Sequence, residues 1–184
     1  KCAIITPPAT APGDIVVGTE IRRVFSAEDV KTAVGRAQGF FAYKALLLND
    51  REAIVDVIAC AESAGNAATA TLTLAGTVTA DETWQIEIAG IKVEVDRAAG
   101  EAADDAKARW ITLINAYSEQ IPATASSGGS GVVTLTATSK GPWGNDITTR
   151  IKRLTGAGGT ASFGAAKASG GTTEPDMTTA LSTL

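Results

Sequence analysis

The chain has 184 residues, 45% of them hydrophobic and only 5% aromatic, with 16 Lys and Arg against 20 Asp and Glu. A net charge of −4 with no long run of cations excludes phosphate-backbone binding, which needs dense positive charge, so nucleic acid is not an expected partner. No apolar stretch reaches the roughly 18 residues of a membrane span, so no membrane is expected either.

Cys2–Thr6 is a short apolar run suited to a strand covered on both faces. Pro7, Pro8, Pro12 and Gly13 then forbid regular structure, and Ile15–Val17 fit a strand within 14–24. Ser26 is placed to cap a helix whose first turn holds Glu28 and Asp29, whose apolar face is Ala27, Val30, Ala33 and Val34, and which Gly35 ends. A second helix is expected over 40–48, with Phe41, Lys44 and Ala45 at helical spacing, and 53–60 reads as a second buried strand. Strand, helices and strand within about 60 residues describe a right-handed crossover with parallel strands.

From Ala61 the composition shifts to Ala, Gly and Thr. Strands are expected at 69–74, 84–89 and 91–95, with a hairpin turn at Ala89-Gly90. The helix over 101–117 is the clearest in the chain, with Ala103, Ala106, Trp110, Leu113 or Ile114, and Tyr117 on one face; Pro122 stops it. A flexible loop at 126–131 leads to alternating strands at 132–137 and 147–151, and a weaker one at 160–166. After a hinge at Gly170-Gly171, Glu174-Pro175-Asp176 opens a last helix with Met177, Ala180, Leu181 and Leu184 turned inward. The expected fold is a discontinuous α/β core with a parallel crossover unit (1–64 and 171–184), carrying an inserted α+β domain (65–170) of mostly antiparallel strands and one long helix. A start inside a strand and a finish inside a helix read as truncation at both ends.

No reactive constellation emerges. The chain has no histidine, which removes the commonest general base and zinc ligand. Cys2 and Cys60 sit in apolar runs and read as inert buried thiols; on parallel neighbouring strands they would lie about 15 Å apart, beyond disulfide reach. Glu28-Asp29 and Asp104-Asp105 fall in first helical turns, where adjacent side chains diverge by about 100°. Asp81-Glu82 reads as a solvated turn, and Gly156–Gly159 as a hairpin turn without the helix a phosphate loop needs. Catalytic, cofactor-binding and metal-binding residues are therefore expected to be none, the chain is expected not to be an enzyme, and no cofactor is expected. Ser139 to Ile147, with Trp143 inside it, reads as a turn between strands that exposes the indole or is clamped by it.

That segment carries a resemblance. The strand 133–137 followed by Lys140-Gly141-Pro142-Trp143-Gly144-Asn145-Asp146-Ile147 resembles a feature of the tail sheath proteins of contractile-tailed phages, the Mu-like branch in particular. Thr71–Gly76 and Ile88–Val95 resemble that family's Gly-turn strands, and the helix 101–115 falls in the same place. So do Ser26–Val30 and the stretch from Gly170 to Asp176. The likeness is spread over nearly the whole chain. It implies a structural subunit of a virion tail, assembled in the bacterial cytoplasm as stacked hexameric rings around a tail tube and contracting to drive the tube through a cell envelope. The implied partners are copies of itself and the tail tube protein. The family's terminal arms, which add strands to neighbouring subunits, have no counterpart here, so the chain is expected to be monomeric in solution. Charged residues such as Arg22, Arg23, Arg36, Lys152 and Arg153 are candidates for contacts between rings. A carbohydrate- or receptor-binding module is the competing expectation, motivated by Thr-rich strands with Trp84 and Trp143 read as exposed.

Overall fold

The computed structural model describes residues 2–7 and 13–183; the expectations for Pro8, Pro12 and Leu184 lie outside them. The fold is mixed α/β, with three sheets and four α-helices among the described residues. The chain divides into two compact units, one of 1–67, 138–142 and 171–184, the other of 68–137 and 143–170.

The first unit holds strands β1 (Cys2–Thr6), β2 (Ile21–Val24) and β3 (Val55–Ala59) in the order β1-β3-β2. β1 runs parallel to β3 with Cys2 opposite Val55, and β2 runs antiparallel to it with Ile21 opposite Ile58. β3 is central and buried along its whole length, as its unbroken apolar run requires. β1 is an edge strand whose first residues are exposed, so the expectation of cover on both faces fails there. Helices α1 (Ala27–Val34) and α2 (Gln38–Asn49) set Val30, Val34, Phe40 and Tyr43 into one core with Val24, Val55 and Val57. Ile58 and Cys60 form a smaller cluster with Ala180.

Local chemistry fixes both helices. Ser26 Oγ accepts from the Asp29 N–H at 3.1 Å while the Asp29 carboxylate accepts from the Phe25 N–H at 3.0 Å, closing a capping arrangement. Gly35 ends α1 at φ +71. The N–H groups of Asp14 and Ile15 donate to Thr32 and Ala33 carbonyls at the end of α1. That role turns 14–19 into a bend, so the strand expected at Ile15–Val17 forms instead at 21–24, and Val16 and Val17 stay exposed. α2 starts on Thr6, whose Oγ1 accepts from the Gly39 N–H at 2.9 Å. Its buried face is Gly39, Phe40 and Tyr43. The last helix, α4 (Thr178–Ser182), leaves Pro175 outside it; Ala180 is buried, but Met177 and Leu181 are exposed, because five residues offer one inward position.

The second unit holds two antiparallel sheets. One runs β10 (Thr160–Phe163), β4 (Thr69–Ala75), β8 (Val132–Ala137), β7 (Ala123–Gly129); the other runs β6 (Ile91–Arg97), β5 (Ala80–Ile88), β9 (Thr149–Ala157). β4 and β8 alternate buried and less buried residues as their sequences do. α3 (Ala103–Ala116) buries Ala106, Trp110 and Ile114 and lies against strands of both sheets. Tyr117, expected inside, follows the helix and is exposed, and Ile114 rather than Leu113 takes the buried position.

Two turns differ from expectation. Residues 123–129 form an edge strand, so most of the loop expected at 126–131 is paired to β8, with an irregularity between Ser127 and Gly129. Gly158-Gly159 is a turn but not a hairpin: β9 pairs with β5 in one sheet and β10 with β4 in the other. Pro142–Asp146 is a turn of 3₁₀ helix.

Candidate functional site

The richest polar cluster in the second unit begins with Glu82. Alternation along β5 puts Glu82 on the same inward face as Trp84, Ile86 and Ile88, and alternation along β6 puts Arg97 in line with Val93 and Val95. The two charged residues sit directly opposite each other in the β5–β6 register. Both are buried, at 1% and 2% exposure, which overturns the reading of Glu82 as solvated.

Most polar groups around them are engaged in a specific way, although Arg97 Nε is buried without a hydrogen-bond partner. Glu82 Oε2 accepts from Trp84 Nε1 at 3.0 Å. Glu82 Oε1 accepts from the Gly159 N–H at 2.7 Å and from Arg153 Nη1 at 3.3 Å. Arg153 also stacks over the Trp84 ring, 4.9 Å from its centre. Arg97 donates to the Ala75, Gly76 and Glu101 carbonyls at 2.9, 2.8 and 3.3 Å. The pair thus ties the β4–β5 loop, the β9–β10 turn and the entry to α3 to one point. The bonds made by the Glu82 carboxylate and by Arg97 Nη1 and Nη2 hold this geometry in the buried setting.

A cleft of about 410 Å³ opens beside the pair, lined by Asp81, Asp96, Ala98 and Arg109 among others. Asp81 accepts from the Ala99 N–H at 2.8 Å. Glu101 is bound twice by Arg109, at 2.5 and 2.9 Å, which holds its carboxyl below the usual range. Around the cleft, the Asp81 carboxylate serves a backbone amide, and Arg109 serves Glu101 and the Asp96 carbonyl. The arrangement braces loops; a nucleophile beside a base is not part of it.

In the first unit, three passages of chain meet at Asn66. Its carbonyl accepts from Gly141 N–H at 3.0 Å and Thr172 N–H at 3.2 Å, and its own N–H donates to Thr172 Oγ1 at 3.1 Å. Ser63 Oγ donates to the Thr173 carbonyl at 2.5 Å, and Lys140 pairs with Glu62 at 3.7 Å. A β-carbon on Gly65 would fall 1.9 Å from the Thr172 carbonyl oxygen, so this packing demands glycine there. Gly141 takes φ +107, a conformation that favours glycine.

The other singled-out residues are spread apart. Cys2 is exposed, contrary to expectation, because it begins an edge strand; Cys60 is buried and its thiol is pushed up by burial. Asp29 accepts bonds at its own helix start, while Asp104 accepts from Lys107 on its helix and from Ser130 and the Gly131 N–H in the β7–β8 turn; its carboxyl is lowered to about 2, first by Lys107 and then by the Gly131 N–H and Ser130. Arg22 is bound to Glu20 and Asp14, and Arg23 to Asp56 at 3.0 Å. Trp84 is buried and Trp143 half-buried, which removes the exposed Trp84 that motivated a glycan-binding module. Among the described residues, no three of Cys, Asp and Glu gather in a group that could hold a metal ion, and no helix is long and apolar enough to cross a membrane. The chain matches no protein-family model and no curated protein.

Proposed function

We propose that this chain is a structural subunit of a contractile tail sheath. Its resemblance to the Mu-like sheath proteins supplies the class. The observation that carries the reading physically is where large apolar side chains stay exposed. Eight of the ten among the described residues belong to the first unit: Val16, Val17, Ile21, Phe25, Leu48, Ile54, Met177 and Leu181. Phe25 is 79% and Leu48 87% exposed. Apolar surface concentrated on a small unit suits a part that is covered on assembly.

In this reading the first unit is part of the α/β sheath core, the connection from β1 through β2, α1 and α2 to β3 is a right-handed crossover, and the second unit is an insert on the outside of the particle. The partners are other copies in stacked hexameric rings and the tail tube. Contraction draws on a metastable ring packing rather than on chemistry within the subunit.

Antibodies against the second unit test this on intact particles by negative-stain electron microscopy. Decoration along the full length of contractile tails is the expected result. Label confined to fibres or a baseplate supports a receptor-binding module instead, and absence of label from every particle that contains the chain overturns the peripheral placement.

A further inference from the structure

β7 is the end strand of its sheet, and its sequence from Ala123 to Gly129 carries no charge and no proline. Charged residues and proline are the usual means by which an edge strand avoids pairing with another chain. Here something else occupies the edge. In the β7–β8 register Ala125 lies opposite Leu135. The Ala125 N–H donates to Asn115 Oδ1 at 2.8 Å, and Asn115 Nδ2 donates to the Ala125 carbonyl at 2.9 Å. The side-chain amide reproduces the paired bonds that a neighbouring strand would make.

The contact is repeated along the helix. Lys107 Nζ donates to the Gly129 carbonyl at 2.8 Å, and Asp104 Oδ1 accepts from the Gly131 N–H at 2.8 Å. The spacings agree. Lys107 and Asn115 are eight residues apart on α3, about 12 Å of helix rise. Gly129 and Ala125 are four residues apart on β7, about 13 Å of strand. One row of α3 side chains therefore matches the β7 edge in antiparallel sense.

We propose that α3 acts as a surrogate strand that closes the β7 edge against pairing with a second copy of this chain, and that Asn115 is the residue that closes it. The fold thereby reserves self-association for other surfaces. Released, an uncharged strand of Ala, Ser, Thr and Gly pairs with its own copy, since neither bulk nor repulsion opposes antiparallel approach.

Native-state hydrogen exchange and sedimentation velocity test this on the whole chain. In the wild type the Ala125 amide is expected to be protected like the interior of the sheet; exchange at the rate of an open edge amide overturns the proposal without any variant. In Asn115→Ala that amide is expected to exchange about fivefold to tenfold faster, and the sedimenting mass to rise above that of the wild type. Adding Ser126→Lys to Asn115→Ala puts a charge on the opened edge and is expected to restore the wild-type mass. A folded Asn115→Ala that keeps the wild-type mass at all concentrations, or one whose association ignores Ser126→Lys, refutes the role.

Discussion

Gly159 lies so close to Glu82 that a β-carbon on it would stand 2.4 Å from Glu82 Oε2, while its N–H donates to Glu82 Oε1 at 2.7 Å. The same β-carbon would meet Arg97 Nη1 at 2.8 Å. The turn, the carboxylate and the guanidinium are therefore packed as one object. Gly159→Ala is expected to destabilise the second unit by about 1–3 kcal/mol through overpacking. Glu82→Ala is expected to cost about 3–5 kcal/mol, because it strands the buried Trp84 and Gly159 donors beside a buried arginine. Urea midpoints at constant m-value measure both. A Gly159→Ala midpoint equal to the wild type's would show that the turn gives way easily.

How far the sequence announces this cluster depends on which rule is applied to it. Alternation made β4, β6 and β8 legible, and the Ser26–Gly35 helix was legible from its caps. The charge of Glu82 favours solvent, whereas its position on the alternating strand favours burial, and position wins. Its place two residues before Trp84 on the inward face was the available signal, as was Arg97 two residues after Val95. The Ser and Gly of β7 favour a loop, while its strand state depends on β8 and on Asn115, which no local pattern reports. The displacement of the second strand to 21–24 has the same origin: Asp14 and Ile15 spend their N–H groups on the end of α1.

Ala89 adopts φ +51 ahead of Gly90 at φ +82, in a two-residue turn that pairs Ile88 with Ile91. Alanine meets a steric cost in this conformation that asparagine largely escapes. Ala89→Asn is expected to raise stability by about 0.5–1 kcal/mol, and Gly90→Ala to lower it by about 1 kcal/mol although nothing lies within 4 Å of the added carbon. Thermal midpoints of the two variants should move in opposite directions; a shared direction would contradict the assigned turn.

Asp104 titrates near 2 in the folded chain, down from 3.8, with the Lys107 ammonium the largest cause. A lowered folded pKa means that the ionised form favours folding. The contribution is complete above about 4 and is lost as pH falls toward about 2. Glu101, held low by Arg109, acts with the same sign. The stability gap between wild type and Asp104→Asn should therefore be constant near neutrality and close as pH drops through that window. Urea midpoints measured from pH 6 to pH 2 follow it, and a gap that widens on acidification would reverse the assignment.

The two thiols should differ in reactivity because they sit at opposite ends of one parallel strand pair. Cys2 faces Val55 at the exposed start of β1, while Cys60 follows Ala59 at the far end, where its N–H donates to the Thr6 carbonyl at 3.0 Å. Burial raises the Cys60 thiol and withholds the thiolate that reacts. A disulfide reagent at pH 8 should modify one thiol rapidly in the native chain and the second only in denaturant. Cys2→Ser should abolish the fast phase and leave the slow one. Rapid modification of Cys60 in that variant would mean that the Ile58–Cys60–Ala180 cluster opens readily, and with it the hold of α4 on the sheet.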